Sequence, residues 1–335
     1  MIDLGTYDRL IARLKEGKSF LISSHVRLDG DGLGSALAMD SLVRQIGRKS
    51  MVLLPGAVPV VYQFLPGVER VATLDDVPTP KVPADVDTFI ALDVADTTRL
   101  GGVPKLLPLG VFTASVAHHH SGTLKADVEC DDPDAASTGE LVYDLIKRGG
   151  FDITPDIATN IFAAIMSDTQ RFSLPNTDAK CLTVAGEMVE RGANPGDLGD
   201  RLYRSWQHGS LALWAEVASR IRLDPSGKLA WTSMTLEMLG RYKVHADDTQ
   251  DFADIPRMLA GVEVGVLFRE FEKGVRVSLR SNRIPILSVA EQFKGGGHQL
   301  ACGCELSSNL ADSQVQVLAA VREALAKSGP PAEKR

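Results

Sequence analysis

The sequence predicts an α/β protein: a doubly wound, mostly parallel sheet followed by a smaller α+β domain, with an active cleft between them. Three observations carry this expectation. In the first half, apolar runs of strand length alternate with apolar-periodic stretches of helix length. The residues that close those runs are histidines and aspartates, and polar groups at the ends of buried elements converge on one crevice of an open α/β sheet. After Gly192-Ala-Asn-Pro-Gly196 the texture changes to half-buried alternation.

The elements follow in order. Ser19 to Ser24 reads as a first buried strand, ending just before His25. Gly34 to Ile46 carries apolar residues at helical spacing, with Gly47 as a stop. Met51 to Leu54 is a second strand, closed by Pro55-Gly56, and Thr88 to Val94 a third, with Asp93 near its end. Val111 to Val116 leads into the histidine run. Ser137-Thr-Gly-Glu140 has capping-box spacing and opens a helix to about Lys147. Thr154-Pro155 opens another, which delivers Ser167-Asp168-Thr169. A further helix spans about Asp178 to Glu190. In the second half, a helix (Ser210 to Ile221) precedes strands at Lys228 to Met234, Glu263 to Phe268, Val275 to Leu279 and Cys302 to Leu306. A last helix covers about Ala311 to Lys327, before a frayed tail. The expected domains are residues 1–195 and 211–330, joined by a linker at 196–210.

A chain of 335 residues suits two domains. A net charge of −7 argues against broad binding to duplex nucleic acid, which wants a basic face. Short anionic substrates remain open, because metals can supply local positive charge. Four scattered cysteines imply no disulfide framework, and Cys302-x-Cys304 reads as strand alternation rather than a zinc site. Without a signal peptide or an apolar run near 18 residues, the expected location is the cytoplasm, away from membranes.

His25-x3-Asp29-x-Asp31 puts an imidazole and two carboxylates on one tight turn, a donor set for divalent metals. Gly30, Gly32 and Gly34 let the backbone approach closely. The bland reading is an Asp-Gly turn with a helix N-cap. Asp93 closes an apolar strand, and a buried carboxylate needs a metal or a cation such as Arg99. His118-His119-His120 cannot all face one metal, so one ligand, one phosphate-facing donor and one solvated neighbour is the sensible division. Asp168 is either the last carboxylate ligand or a helix-end polar residue. In the second half, Gly295-Gly296-Gly297-His298 can expose backbone N–H groups to an anion or form a flexible turn. Arg280-Ser281 precedes it, and the arginine fork suits phosphate. His208 and His245 read as structural or surface residues.

Taken together, these motifs resemble the DHH phosphoesterases. Ser24-His25-x3-Asp29-Gly-Asp31, Leu92-Asp93-Val-Ala-Asp96, His118-His119 with Ala136-Ser-Thr-Gly-Glu140, and Ser167-Asp168-Thr169 look like the four family motifs. Ser278-Leu-Arg280-Ser281 and Gly295-Gly-Gly-His298 look like the DHH-associated C-terminal domain. The likeness covers nearly the whole chain and is greatest to the short, stand-alone nanoRNase and pAp phosphatase (NrnA) type.

The resemblance implies two divalent ions, manganese by preference, held by His25, Asp29, Asp31, Asp93, His118 and Asp168. It implies that His119 contacts the scissile phosphate, and that Arg280, Ser281 and Gly295 to His298 hold the rest of the nucleotide. Implied partners are short single-stranded RNA, dinucleotides such as pGpG and pApA, and pAp, with a homodimer as a candidate assembly. One residue departs: Ala117 stands where the motif has aspartate, with Ser121 fixing the register. That aspartate orients a ligand histidine, and losing such a partner costs roughly 10–100-fold. The chain is therefore expected to be impaired, Ala117 being either a substrate-trapping change or natural degeneracy. A cyclic dinucleotide phosphodiesterase or a degenerate nucleotide-binding sensor are the alternative readings. A family-two pyrophosphatase lacks the second-domain pattern, and a long-strand exonuclease wants more domains. Lys294, where a further glycine is common, adds a candidate phosphate contact.

Overall fold

The structure is a computed structural model that describes residues 4–78, 80–119, 122–297 and 299–327. The chain divides into two units, Met1–Ser205 and Trp206–Arg335. Among the described residues no helix is long and apolar enough to cross a membrane.

The first unit contains, in order, α1 (Leu4–Glu16), β1 (Ser19–Ser23), α2 (Gly30–Gln45), β2 (Lys49–Leu54), β3 (Ala72–Thr73), β4 (Thr88–Leu92), β5 (Phe112–Ala117), β6 (Val128–Asp131), α3 (Thr138–Gly149), α4 (Pro155–Asp168), α5 (Ala179–Glu190) and α6 (Pro195–Tyr203). The strands form one sheet in the order β3-β2-β1-β4-β5-β6, parallel throughout. β1 and β4 are buried at every position, as parallel strands covered on both faces must be. The order reverses between β1 and β4, so the crevice beyond their C-terminal ends is the switch point where such sheets bind ligands. His25 follows β1, and Asp93 follows β4, at that crevice.

The sheet divides two cores. Phe20, Ile22, Ile90 and Leu92 pack with apolar residues of α1 to α6 on one face. Leu21, Leu53, Phe89 and Ala91 pack on the other against Leu100 and Val103, which come from single-turn helices. The doubly wound order is thus as expected, but full-length helices cover only one face.

Two boundaries differ from the sequence expectation. α2 begins at Gly30, four residues earlier than its apolar periodicity, because Asp29 caps it by accepting the N–H of Gly32 at 2.9 Å. Asp31 therefore stands in the first turn of a helix rather than on a loop. The predicted linker 196–210 is largely α6. Asn194 accepts the N–H groups of Gly196 and Asp197, and Pro195 sits in the first turn, so apparent breakers start a helix. Leu198 and Leu202 of α6 join the first core, which carries that unit to Ser205.

The second unit holds α7 (His208–Ser219), β7 (Arg222–Leu223), β8 (Leu229–Met234), α8 (Leu236–Tyr242), β9 (Val264–Phe271), β10 (Gly274–Ser281), α9 (Leu287–Gln292), β11 (Gly296–Gly297), β12 (Ala301–Leu306) and α10 (Leu310–Lys327). Its sheet order is β11-β12-β10-β9-β8-β7, antiparallel except for β8 with β9. One core gathers α9 and α10 residues on this sheet, and a second gathers α7 and α8 residues. Cys302 and Cys304 are buried at alternate positions of β12, and all four cysteines are free thiols.

Candidate metal centre

Three turns and two helix ends bring the acidic and imidazole groups together. His25 is fully buried, its Nδ1 2.9 Å from the Val26 carbonyl, which aims Nε2 inward. A Cβ on residue 32 would lie 2.9 Å from that Nε2, so Gly32 makes room for the ring. Gly34 serves the helices likewise: a Cβ there would lie 2.5 Å from the Asn160 carbonyl, and its absence lets α2 and α4 approach. That approach sets Asp31, at the start of α2, near Asp168, at the end of α4.

Asp31 is buried, and its carboxylate accepts the N–H groups of Thr138 (2.8 Å) and Gly139 (3.0 Å) and the Ser35 hydroxyl (3.1 Å). It thereby caps α3 across 107 residues of sequence, with the positive end of that helix facing it. Asp93 adopts a left-handed backbone (φ 60°), which aspartate tolerates better than most residues. Its Oδ1 accepts the Thr138 hydroxyl at 2.9 Å and lies 3.1 Å from His119 Nε2, while Oδ2 lies 3.0 Å from His25 Nε2. Among the described residues Asp93 thus pairs with imidazoles, and not with Arg99.

His118 turns its Nδ1 toward the Ala135 carbonyl (3.3 Å). Its Nε2 faces Asp31, Asp168 and Asp93 at 3.5, 3.6 and 3.7 Å. Asp168 ends α4, where the helix dipole disfavours a carboxylate, and the Asn176 amide approaches it at 3.4 Å.

The ligand atoms form three groups, each within 4.8 Å: His25, Asp29 and Asp93; Asp31, His118 and Asp168; and Asp93, His118 and His119. Every sequence-predicted ligand is in one of them, and Asp93 and His118 are each in two. The electrostatics show a deficit of positive charge. Burial, with Asp93 beside it, lifts the Asp31 carboxyl well above the ordinary range. Burial likewise lifts Asp168 to about 6, with His118 opposing. Burial also acts to raise Asp93, but bonds from His119 and His25 outweigh it and hold that group well down. Burial disfavours charge on His25, yet Asp29 and Asp93 raise it to about 10, and Asp168 and Asp31 raise His118 to about 9. Imidazoles thus serve as the cations these carboxylates require. Carboxylate and imidazole donors clustered in this way fit divalent metal ions.

Sequence reasoning missed Thr138, Gly139 and Asn176 as supports of the centre. The Ser137-Thr-Gly-Glu140 motif was the available signal, and it reads first as a helix start, which it also is: Ser137 accepts the N–H of Glu140. Ala117, the last residue of β5, is fully buried and offers no donor.

In the second unit, Arg280 and Ser281 end β10, and Gly296 and Gly297 form β11. They lie on either side of β12, Arg280 in register with Ala301 and Gly297 with Cys302. Arg280 donates to the Leu279 carbonyl at 3.1 Å. Ser281 is buried, and its hydroxyl oxygen accepts the Ile284 N–H at 2.9 Å. A Cβ on Gly295 or Gly297 would lie 2.1 Å from the Gly303 carbonyl or 2.7 Å from the Ala301 carbonyl, so strand pairing itself demands glycine there. His120, Ser121, His298 and the tail beyond Lys327 lie outside the described residues.

A family model described as the DHH family, N-terminal domain, matches residues 19–166, and one described as the DHHA1 domain matches residues 231–327. The chain is 32% identical over 311 residues to the bifunctional oligoribonuclease and PAP phosphatase NrnA of Thermus thermophilus, spanning 92% of this chain and 90% of that one. It is 25% identical over 307 residues to the protein of the same name from Bacillus subtilis, spanning 89% and 93%. An exopolyphosphatase-related protein from Bacteroides fragilis shares the fold, with a TM-score of 0.87 at 23% identity over 98% of this chain and 97% of that one.

Proposed function

The chain belongs to the DHH family of phosphoesterases, and from that premise we propose that it hydrolyses short RNA oligonucleotides and linear dinucleotides to mononucleotides. The proposal extends to pAp, cleaved to AMP and phosphate, and to a cytoplasmic setting. Its support is the likeness, over nine-tenths of its length, to a relative named for both activities. The observation that carries it is Asp93, whose two oxygens face imidazoles on opposite sides and which joins two of the three donor groups.

Two divalent ions, manganese in this proposal, supply Lewis acidity toward phosphate oxygens and acidify water. His25, Asp29 and Asp93 would hold one ion, and Asp31, His118 and Asp168 the other. The Thr138 hydroxyl fixes one Asp93 oxygen and so fixes the rotation of the carboxylate. The amides of Thr138 and Gly139 do the same for Asp31. His119 is assigned to a non-bridging oxygen of the scissile phosphate. Arg280 is assigned to a second phosphate of the nucleotide, supported by the exposed Gly296–Gly297 strand; Ser281 and His298 complete that assignment.

The test is hydrolysis of a 5′-labelled dinucleotide and of pAp, with and without manganese. Metal-dependent release of mononucleotide and of phosphate is expected. No turnover of either substrate at any manganese concentration would sink the proposal and bring forward the sensor reading, which Ala117 favours.

A further inference from the structure

Three consecutive residues that are not glycine, Gln170, Arg171 and Phe172, adopt a left-handed backbone, with φ of 44°, 63° and 61°. Such a run is costly, and it persists only where its surroundings enforce it, most often at functional sites. Here the chain curls around the buried Thr169. The hydroxyl oxygen of Thr169 accepts the Phe172 N–H at 3.0 Å, and its carbonyl accepts those of Ser173 and Leu174 at 2.9 and 3.1 Å. The Phe172 ring meets Phe162 edge to face, 5.7 Å between centroids. The loop is closed at its ends, because the Asn176 amide donates to the Asp168 carbonyl at 3.2 Å and to the Ala136 carbonyl at 2.9 Å. It thus leaves from a candidate metal ligand and returns to it, with Arg171 three residues past Asp168.

Thr169 and Phe172 anchor the turn, and the Arg171 side chain has another place. It is exposed, with its guanidinium over the Tyr203 ring, 4.6 Å from the centroid. Tyr203 is itself fixed: its hydroxyl donates to the Met166 carbonyl at 3.2 Å, which also accepts the Arg171 N–H at 2.8 Å. In the same unit Arg13, Arg44, Arg70, Arg148, Arg191 and Arg201 each pair with a carboxylate. Among the described residues Arg171 pairs with none. An aromatic face holds a guanidinium flat and leaves its N–H edges to an anion. We propose that Arg171 binds a substrate phosphate beyond the two already assigned, to the ions and to Arg280. It thereby favours a trinucleotide with three phosphates over a dinucleotide or pAp with two. The inference rests on the proposed hydrolase reading and adds to it a first-unit contact that only the longer substrates use.

The experiment compares the parent with Arg171→Ala and Arg171→Gly on a trinucleotide and a dinucleotide, both 5′-phosphorylated, with manganese. Glycine suits a left-handed backbone, so the second variant removes the side chain and keeps the turn. The readout is the ratio of kcat/KM for the trinucleotide to kcat/KM for the dinucleotide. The parent is expected to prefer the trinucleotide. Both variants are expected to cut that preference about 10-fold, as for one charge-assisted bond lost. Damage to the fold or to the ion site would lower both values alike and leave the ratio as it was. The proposal is overturned by a parent that does not favour the trinucleotide, or by variants that keep the parental ratio. If the parent cleaves neither substrate, the hydrolase reading falls. Fluorescence anisotropy of the labelled trinucleotide with manganese then decides the Arg171 role by itself. Weaker binding by Arg171→Gly than by the parent supports it, and equal binding overturns it.

Discussion

In the first unit each candidate ligand sits at the end of a buried element, and most are held by a second group: His118 by the Ala135 carbonyl, Asp31 by two amides, Asp93 by Thr138. In the second unit Arg280 is half-buried, bonded to a neighbouring carbonyl, beside a two-residue strand of glycine. The contrast follows from what each must hold. Ions tolerate little play in their donors, and support groups remove it. A flexible nucleotide needs charge at the right distance, and one arginine fork provides that. The first unit is thus assigned the chemistry and the second the grip.

The most severe test of that division is Asp93→Asn. Asparagine tolerates the left-handed backbone, so the change removes charge while keeping shape. A fall in kcat of at least ~100-fold, with metal binding lost by calorimetry, is expected. Thr138→Val deletes one bond to Asp93 and is expected to lower kcat about 10-fold. Arg280→Ala should raise KM about 10-fold through a lost charge-assisted bond and leave kcat unchanged. A fall in kcat to rival that of Asp93→Asn would end the division of labour.

Metal removal sharpens it further. With folded values near 10 and 9, above the unfolded value of about 6.5, His25 and His118 stabilise the metal-free protein fully below pH ~6.5. That stability is lost as pH rises through 9 to 10, while the contribution of the Asp168 carboxyl, raised to about 6, is already lost below pH 7. Melting of the metal-free protein should therefore fall from pH 7 to pH 10. The manganese-loaded protein should resist this fall, since bound metal wants neutral imidazoles.

The candidate ligands were legible because a histidine or aspartate closing an apolar run is costly unless something compensates it. His25, Asp93 and Asp168 all announce themselves that way. Their supports were not legible: Thr138 and Asn176 are ordinary polar residues until folding sets them beside Asp93 and Asp168. The start of α2 was hidden because Gly-Asp-Gly is a poor helix former, overruled here by the Asp29 cap and by packing on α4. α1 went unread although Tyr7, Leu10, Ile11 and Leu14 carry helical spacing. In the second unit β7 and β11 are two residues each, too short for any period to register.

Asp31 both faces the ion site and caps a helix 107 residues downstream. During synthesis it leaves the ribosome long before the amides that will hold it, and Asp168 follows later still. Five candidate donors, His25, Asp29, Asp31, Asp93 and His118, are made before α3 and α4 emerge. The full donor set is therefore complete only once α4 has been made, and it draws on nothing beyond the first unit's own residues.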